Sequence, residues 1–344
     1  MTRVSRLCTL AGITAGLLGL TVPASAQTGW TVVTPPTGAA GILTGSYALS
    51  GTDTWVVGYN GNTSTGPEAP VALNWNGTAW STVSTPTPSG STPDWGFYSV
   101  AASSTTDAWA VGEQSAGTKI HDSLYEHWNG TAWSVVTGPD EGKLYAALDF
   151  SPTNAWAFAG LSTLHWNGTA WSVVSGVAGF GLAVSADGPD DIWGVSRDDM
   201  VSHYNGTSWS YYTLSNASEG GFDTVVALSP TDVWIGGTNG TGPLLEQFNG
   251  TSWQVRTTPS SFAGEGVLAM TAQSNSDVWI FSEGNPLTDP LLLANWNGSS
   301  WTNSTSPIPA DTSASIGSAA SSPSYTWLFG YDGSTGEPMI LENS

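Results

Sequence analysis

The sequence predicts an all-β chain of seven repeats closed into a ring, a seven-bladed β-propeller. Three observations predict it: a tryptophan recurring at blade-length spacing, an Asn-Gly hairpin signal in most repeats, and complementary half-repeats at the two ends. The first tryptophan of each repeat stands at Trp55, Trp109, Trp156, Trp193, Trp234, Trp279 and Trp327. Their mean interval of about 45 residues is the length of a four-stranded blade. One full repeat reads Asp107-Ala-Trp109-Ala-Val-Gly112, a variable stretch, then His127-Trp128-Asn129-Gly130-Thr131-Ala-Trp133-Ser-Val-Val.

Asn-Gly between aromatic, alternating segments signals a tight hairpin, because a type I′ turn needs positive φ at both central residues. Such pairs stand at Asn76-Gly77, Asn129-Gly130, Asn167-Gly168, Asn205-Gly206, Asn249-Gly250 and Asn297-Gly298. A two-residue turn pairs Trp75 with Thr78 and Leu73 with Trp80, and that shared face is expected to pack on the next blade. Several Asn-Gly-Thr units also match the glycosylation sequon, but the turn alone accounts for them.

Each blade then reads as four strands, for example Tyr98 to Ala102, Ala108 to Val111, Leu124 to Trp128 and Thr131 to Val136. The seventh repeat stops at Leu341-Glu342-Asn343-Ser344, where others reach the hairpin turn. Gly29-Trp30-Thr31-Val32-Val33 matches the missing fourth strand. The two ends are expected to complete one blade, which closes the ring and removes the open edges that template aggregation.

Ahead of the repeats, Arg3 and Arg6 precede an apolar run from Leu7 to Leu20 and then Pro23-Ala24-Ser25-Ala26. This is the pattern of an export signal over residues 1–26, leaving residues 27–344 as a single secreted, extracellular domain. The one cysteine, Cys8, lies near the start of the apolar run and leaves with the signal. No later apolar stretch is long enough to span a bilayer.

All 27 acidic residues follow the signal, against Lys119, Lys143, Arg197 and Arg256, so the mature net charge is 4 minus 27, or −23. A field of that sign repels nucleic acid, and no basic cluster is present to neutralise phosphates. No Walker, Rossmann or zinc-protease spacing occurs, so no cofactor or metal is expected. A calcium ion in an acidic channel is conceivable, but no oxygen-ligand loop of recognised spacing supports it.

These repeats resemble those of secreted bacterial β-propellers carrying Asp-x-Trp-x-Val-Gly and Trp-Asn-Gly-Thr-x-Trp units, kelch-like in plan, over essentially the whole mature chain. They are also similar to Asp-box propellers of the sialidase type, since Gly77 precedes Trp80 by three residues, although Trp75 stands where the box has aspartate. The resemblance implies the fold. It does not imply one activity, because propellers host binding modules, hydrolases, lyases and oxidases.

Two repeat columns bear polar groups. Asp53, Asp107, Asn154, Asp191, Asp232 and Asp277 precede the first tryptophans and read as Asx-type caps of the backbone. His127, His165 and His203 stand where other repeats have Asn74, Gln247 or Asn295, on different blades, which argues against a shared metal.

Function is expected on the opposite face, where loops vary between repeats. Trp95 is the one tryptophan outside the columns and sits in Asp94-Trp95-Gly96-Phe97-Tyr98, read as a loop on which an exposed indole could stack on a sugar. Near the upper ends of the inner strands, the column Thr44, Tyr98, Tyr145, Leu182, Asp223, Leu268 and Ile316 breaks its apolar pattern at Tyr98, Tyr145 and Asp223. Phe180, Glu219, Phe222, Phe262, Glu265 and Lys143 lie nearby in sequence. Lower down, Asp149 alone departs from a column of alanines (Ala48, Ala102, Ala186, Ala227, Ala272, Ala320) and is a candidate channel residue, because a buried carboxylate needs partners or a raised pKa.

Several chemistries fail on inventory. A sialidase needs three arginines and the mature chain has two; a cysteine-modified tyrosine and a cysteine nucleophile both need a residue that is absent. A glycosidase could draw two carboxylates from Glu219, Asp223 and Glu265, and a lyase could use His121, the one histidine outside the columns. No convergent catalytic set emerges from the sequence. A monomeric binding module for glycans or a cell-surface partner is therefore favoured over a carbohydrate-active enzyme, with a protein-interaction scaffold as a further reading.

Overall fold

In the computed structural model the described residues are 29–62, 66–88, 91–116, 119–174, 183–196, 200–214 and 220–344. The expected signal over residues 1–26 lies outside them. They form seven four-stranded antiparallel sheets, and each of the first six takes its strands in chain order. Blade one runs through Ile42–Ser50, Asp53–Asn62, Gly66–Trp75 and Trp80–Thr82.

The last blade breaks that order as expected. Ala314–Ser322, Tyr325–Asp332 and Pro338–Asn343 are followed by Thr31–Val33 from the other end of the chain, with Thr31 opposite Glu342 and Val33 opposite Ile340. Trp30, 6% exposed, packs edge-on against Trp279 of blade six with ring centres 5.2 Å apart. Burying that ring holds the closing strand more firmly than its three-residue ladder would alone.

The tryptophans are the mortar between blades. Trp55 meets Trp128 and Trp133 at 5.2 and 5.1 Å, Trp109 meets Trp166 and Trp171 at 4.9 Å each, and Trp327 meets Trp75 and Trp80 at 5.2 Å each. The hairpin pair of each blade therefore packs on the preceding blade, not the next as the sequence reading had it. The first tryptophan of a blade reaches forward and the hairpin pair reaches back.

The hairpin itself is longer than expected. Trp75 faces Trp80 and Leu73 faces Thr82, so Asn76-Gly77-Thr78-Ala79 make a four-residue loop and the fourth strand starts two residues later. The Asn76 carboxamide oxygen accepts the backbone N–H groups of Thr78 and Ala79, each at 3.0 Å, while the Asn76 N–H donates to Ala79 O. The side chain replaces part of the ladder as an Asx turn, and only Gly77 takes positive φ, at 92°.

The two polar columns turn out to be one feature. Asn74 Nδ2 donates to Asp53 Oδ1 at 2.8 Å, His127 Nε2 lies 2.7 Å from Asp107 Oδ1, His203 Nε2 lies 2.7 Å from Asp191 Oδ1, and Gln247 Nε2 donates to Asp232 Oδ1 at 2.5 Å. The acids tie the second strand to the third through side chains instead of capping the backbone. Each half-buried amide or imidazole thereby gains the partner it needs.

The glycine that ends Asp-x-Trp-x-Val-Gly has a steric cause. A Cβ on Gly58 would lie 1.9 Å from Ile42 O, and one on Gly112 would lie 1.9 Å from Gly96 O. The inner strand crosses there at a bulge, and any side chain would push it off.

Candidate functional site

The bulges build the site. Register shifts fall between Leu43 and Gly45, Phe97 and Ser99, Leu144 and Ala146, Phe222 and Thr224, and Ile316 and Ser318. Each extra residue is re-aimed, so Thr44, Tyr98, Tyr145, Asp223 and Gly317 line the central channel of about 640 Å³. In the last blade this corrects the sequence alignment by one residue. Its inner turn pairs Ser321 with Thr326 and lacks the second bulge found, for example, between Ala48 and Ser50, so Gly317 and Ser321 take the places assigned to Ile316 and Ala320.

Tyrosines form a row on the rim of blades one to three. Tyr59 and Tyr98 have ring centres 6.0 Å apart at 70°, and Tyr98 and Tyr145 are 6.0 Å apart at 34°. Behind them lies Glu113, 2% exposed, which accepts the Tyr98 hydroxyl proton, contacts His121 Nδ1 and pairs with Lys143 Nζ at 3.0 Å. Lys143 Nζ also stands 5.6 Å from the Tyr98 ring centre. Burial, and then the hydrogen bond to Glu113, pushes the Tyr98 phenol well above its usual range.

Lys143 is held in place by a pinned segment. Ser123 Oγ donates to Gly142 O at 2.7 Å, Glu141 N donates to Ser123 Oγ at 2.9 Å, and the Tyr125 hydroxyl donates to Pro139 O at 2.7 Å. His121 has φ of +67°, a left-handed conformation uncommon in a residue with a side chain. This departure from seven-fold symmetry is built rather than left to chance.

At the lower end Asp149 lines the channel, 7% exposed. Its Oδ2 accepts the Ser103 N–H at 2.9 Å, while Ser103 Oγ donates to Asp107 Oδ2 at 2.5 Å and His127 holds the other Asp107 oxygen. Burial, and then the Asp107 charge, pushes the Asp149 carboxyl up to about 8. Burial alone would raise Asp107 too, but the hydrogen bonds from His127 and Ser103 outweigh it and leave that carboxyl below its usual range.

Other candidates fall elsewhere. Trp95 lies in the strand Ser91–Ser104 opposite Gln114, not on a loop; it is half-buried against the cluster containing Phe97, with its indole N–H buried. Asp94 belongs to the same strand. Phe97 and Phe222 immediately precede bulge residues and so point into the core between blades; both are fully buried, as is Phe262 on the short turn Ser260–Phe262. They pack the scaffold and cannot meet a ligand. Glu265 is exposed. Phe180 and Glu219 lie outside the described residues. The sequence reading missed Glu113 and Tyr59, which share the position just after the motif glycine. It had ended the second strand at Val111, whereas that strand runs through Asp107–Ala116.

No protein-family model matches the chain, and no curated protein matches it. Among solved structures, YCF48 bound to D1 peptide has a TM-score of 0.68 at 16% identity, covering 93% of this chain and 97% of that one. The seven-bladed propeller fold is shared. YCF48 from Cyanidioschyzon merolae (TM-score 0.64, 16% identity, 92% and 98% covered) and the WD40 propeller domain of Doa1 (0.64, 11%, 92% and 97%) share it as well. At these identities the likeness speaks for architecture and leaves function to the site.

Proposed function

We propose that the protein is an exported binding module that holds a segment of a protein partner on its loop-bearing face, at the channel mouth on blades two and three. The carrying observation is an exposed leucine set beside the built asymmetry. Leu161 is 87% exposed on the turn between the second and third strands of blade three. A Cβ on its neighbour Gly160 would come 3.9 Å from the Tyr145 ring, and Ser162 on the same turn donates to Glu141 of the pinned segment at 2.5 Å. Leu287, 70% exposed, stands on the matching turn of blade six. Covering so exposed a leucine with a partner contributes roughly 1.5–3 kcal/mol, and the neighbouring Tyr145 is of the aromatic type enriched at interface anchors.

Glu113 is engaged by three donors, which suits a rigid support better than a general acid or base. Export rests on the signal-like segment over residues 1–26. YCF48, similar in fold, has been solved bound to D1 peptide, which supports a peptide-binding reading for this scaffold. A sugar ligand is the second reading, favoured by the tyrosine row, although Trp95 offers no exposed indole.

The test is to pan a random peptide display library on immobilised residues 27–344 and on the Leu161→Asp and Tyr145→Ala variants. One enriched sequence family that is lost on both variants supports the proposal. Saturable binding in a polysaccharide panel without peptide enrichment replaces it with the sugar reading, and new reducing ends or unsaturated products replace it with an enzyme.

A further inference from the structure

We propose a covalent modification site on blade one: Asn60 deamidates spontaneously through attack of the Gly61 backbone nitrogen on its carboxamide carbon, while the Asn-Gly pairs of the blade hairpins persist. The chain carries eight Asn-Gly pairs, the six of the hairpins together with Asn239-Gly240 and Asn60-Gly61. Glycine has no side chain to shield the attacking nitrogen, so by sequence alone all eight are open to this reaction. The folded chain sets one apart.

Seven of the eight adopt the same loop. In each hairpin and at Asn239, the carboxamide oxygen accepts the backbone N–H groups two and three residues on, at 2.9–3.1 Å. The asparagine's own N–H donates to the carbonyl three residues on. This Asx loop locks the carboxamide plane, and turning its carbon toward the glycine nitrogen gives up both side-chain bonds.

Asn60 is oriented differently. Its Oδ1 accepts the N–H of Gly61 itself, at 2.9 Å, so the side chain is folded back on the nitrogen that would attack it. The carboxamide carbon, one bond from Oδ1, then stands at about the 3–3.5 Å of a near-attack pair. The pair lies where the strand Asp53–Asn62 slips register, with Asn60 facing Ala69 and Gly61 facing Pro67. Exposure does not separate the candidates, since Asn60 and the six hairpin asparagines are all exposed. Orientation does.

The step needs only water. Gly61 N gives its proton to a solvent base and bonds to Asn60 Cγ, the bond from Cγ to Nδ2 breaks, and Nδ2 leaves as ammonia, closing a five-membered succinimide. Water then opens the ring at either carbonyl. One opening gives aspartate in the original chain, and the other gives isoaspartate, in which the main chain runs through Cγ. The net change is one water taken up and one ammonia released, with no oxidant or reductant. Either product places a new negative charge on the residue next to Tyr59, whose ring is 6.0 Å from that of Tyr98.

The test is to incubate residues 27–344 in oxygen-18 water at pH 7 and pH 9, digest with pepsin in acid and map the peptides by mass spectrometry. Label should enter at Asn60 roughly tenfold or more faster than at any other Asn-Gly pair, and faster at the higher pH because the nitrogen must first lose its proton. The labelled peptide should separate into two forms of equal mass, one of them a substrate for an isoaspartyl methyltransferase. In guanidinium-unfolded chain the eight pairs should react at similar rates. Asn60→Gln, which must close a larger ring, should remove the label at that position and leave the other seven unchanged. No label at Asn60, hairpin pairs reacting as fast as Asn60, or the same ranking in the unfolded chain overturns the proposal. None of these outcomes bears on Leu161 or Tyr145, so the peptide-binding reading stands or falls separately.

Discussion

Replacing Glu126 by leucine should stabilise the protein, and only above acidic pH. Glu126 lies on the third strand of blade two opposite Ala110, where blades one, three and seven have Leu73, Leu164 and Leu341. It is 0% exposed, neither carboxylate oxygen has a hydrogen-bond partner among the described residues, and burial pushes its pKa from 4.5 up to about 8. Below pH 4.5 the group is neutral in both folded and unfolded chains and costs no ionisation energy. As pH rises from 4.5 to 8 the unfolded chain ionises while the folded one does not, so stability falls by about 1.4 kcal/mol per unit, roughly 5 kcal/mol in all. Glu126→Leu removes that loss at similar volume. With an unfolding entropy of about 2.1 cal/mol/K per residue over some 316 residues, the melting temperature at pH 8 should rise by roughly 7 °C. At pH 4.5 the change should be small, within the ~1.5 kcal/mol of a volume-conserving swap. Thermal unfolding followed by circular dichroism at both pH values decides it. An equal shift at the two pH values, or a fall at pH 8, would refute the reasoning.

Deleting residues 29–34 should expose the Pro338–Asn343 edge and the Trp279 ring, so that the shortened protein melts much earlier or aggregates; unchanged melting would contradict ring closure. Trp109→Ala should cost roughly 3–5 kcal/mol in denaturant titration, because that ring is 1% exposed between blades two and three. Trp95→Ala should also destabilise, by less, since its ring is half-buried against the core of blades one and two; a neutral effect would return it to the surface. Gly112→Ala should fail to give soluble protein or unfold at far lower denaturant, given the 1.9 Å approach of Gly96 O, and a normal melting curve would show that the bulge can relax.

Period carried most of what the sequence could tell. The seven tryptophans, the hairpin asparagines and the split last blade are local or strictly repeated, so the ring and its closure could be read directly. Register could not. Whether Asn76 makes a type I′ turn or an Asx loop depends on its side-chain hydrogen bonds, and that choice moved Trp75 from Thr78 to Trp80. Bulges have the same effect, turning Phe97 inward and Tyr98 into the channel, where two neighbouring aromatics had looked equivalent. Tyr98, Tyr145 and Asp149, all on the channel, could be singled out because they break columns, whereas Lys143 was noted only as a loop residue near them. Glu113 was missed because it follows the motif glycine, at a position that reads Tyr59, Glu113, Gly160, Arg197, Thr238, Glu283 and Tyr331, with no prevailing residue type for it to break.

The most direct test of the binding face is backbone amide exchange on residues 27–344, alone and saturated with the peptide family enriched in display. The account predicts new protection at His121, at Lys143 to Tyr145 and at Gly160 to Ser162, with the outer strands such as Trp133–Val135 unchanged. Protection confined to the Asn-Gly turns or the outer strands would contradict it.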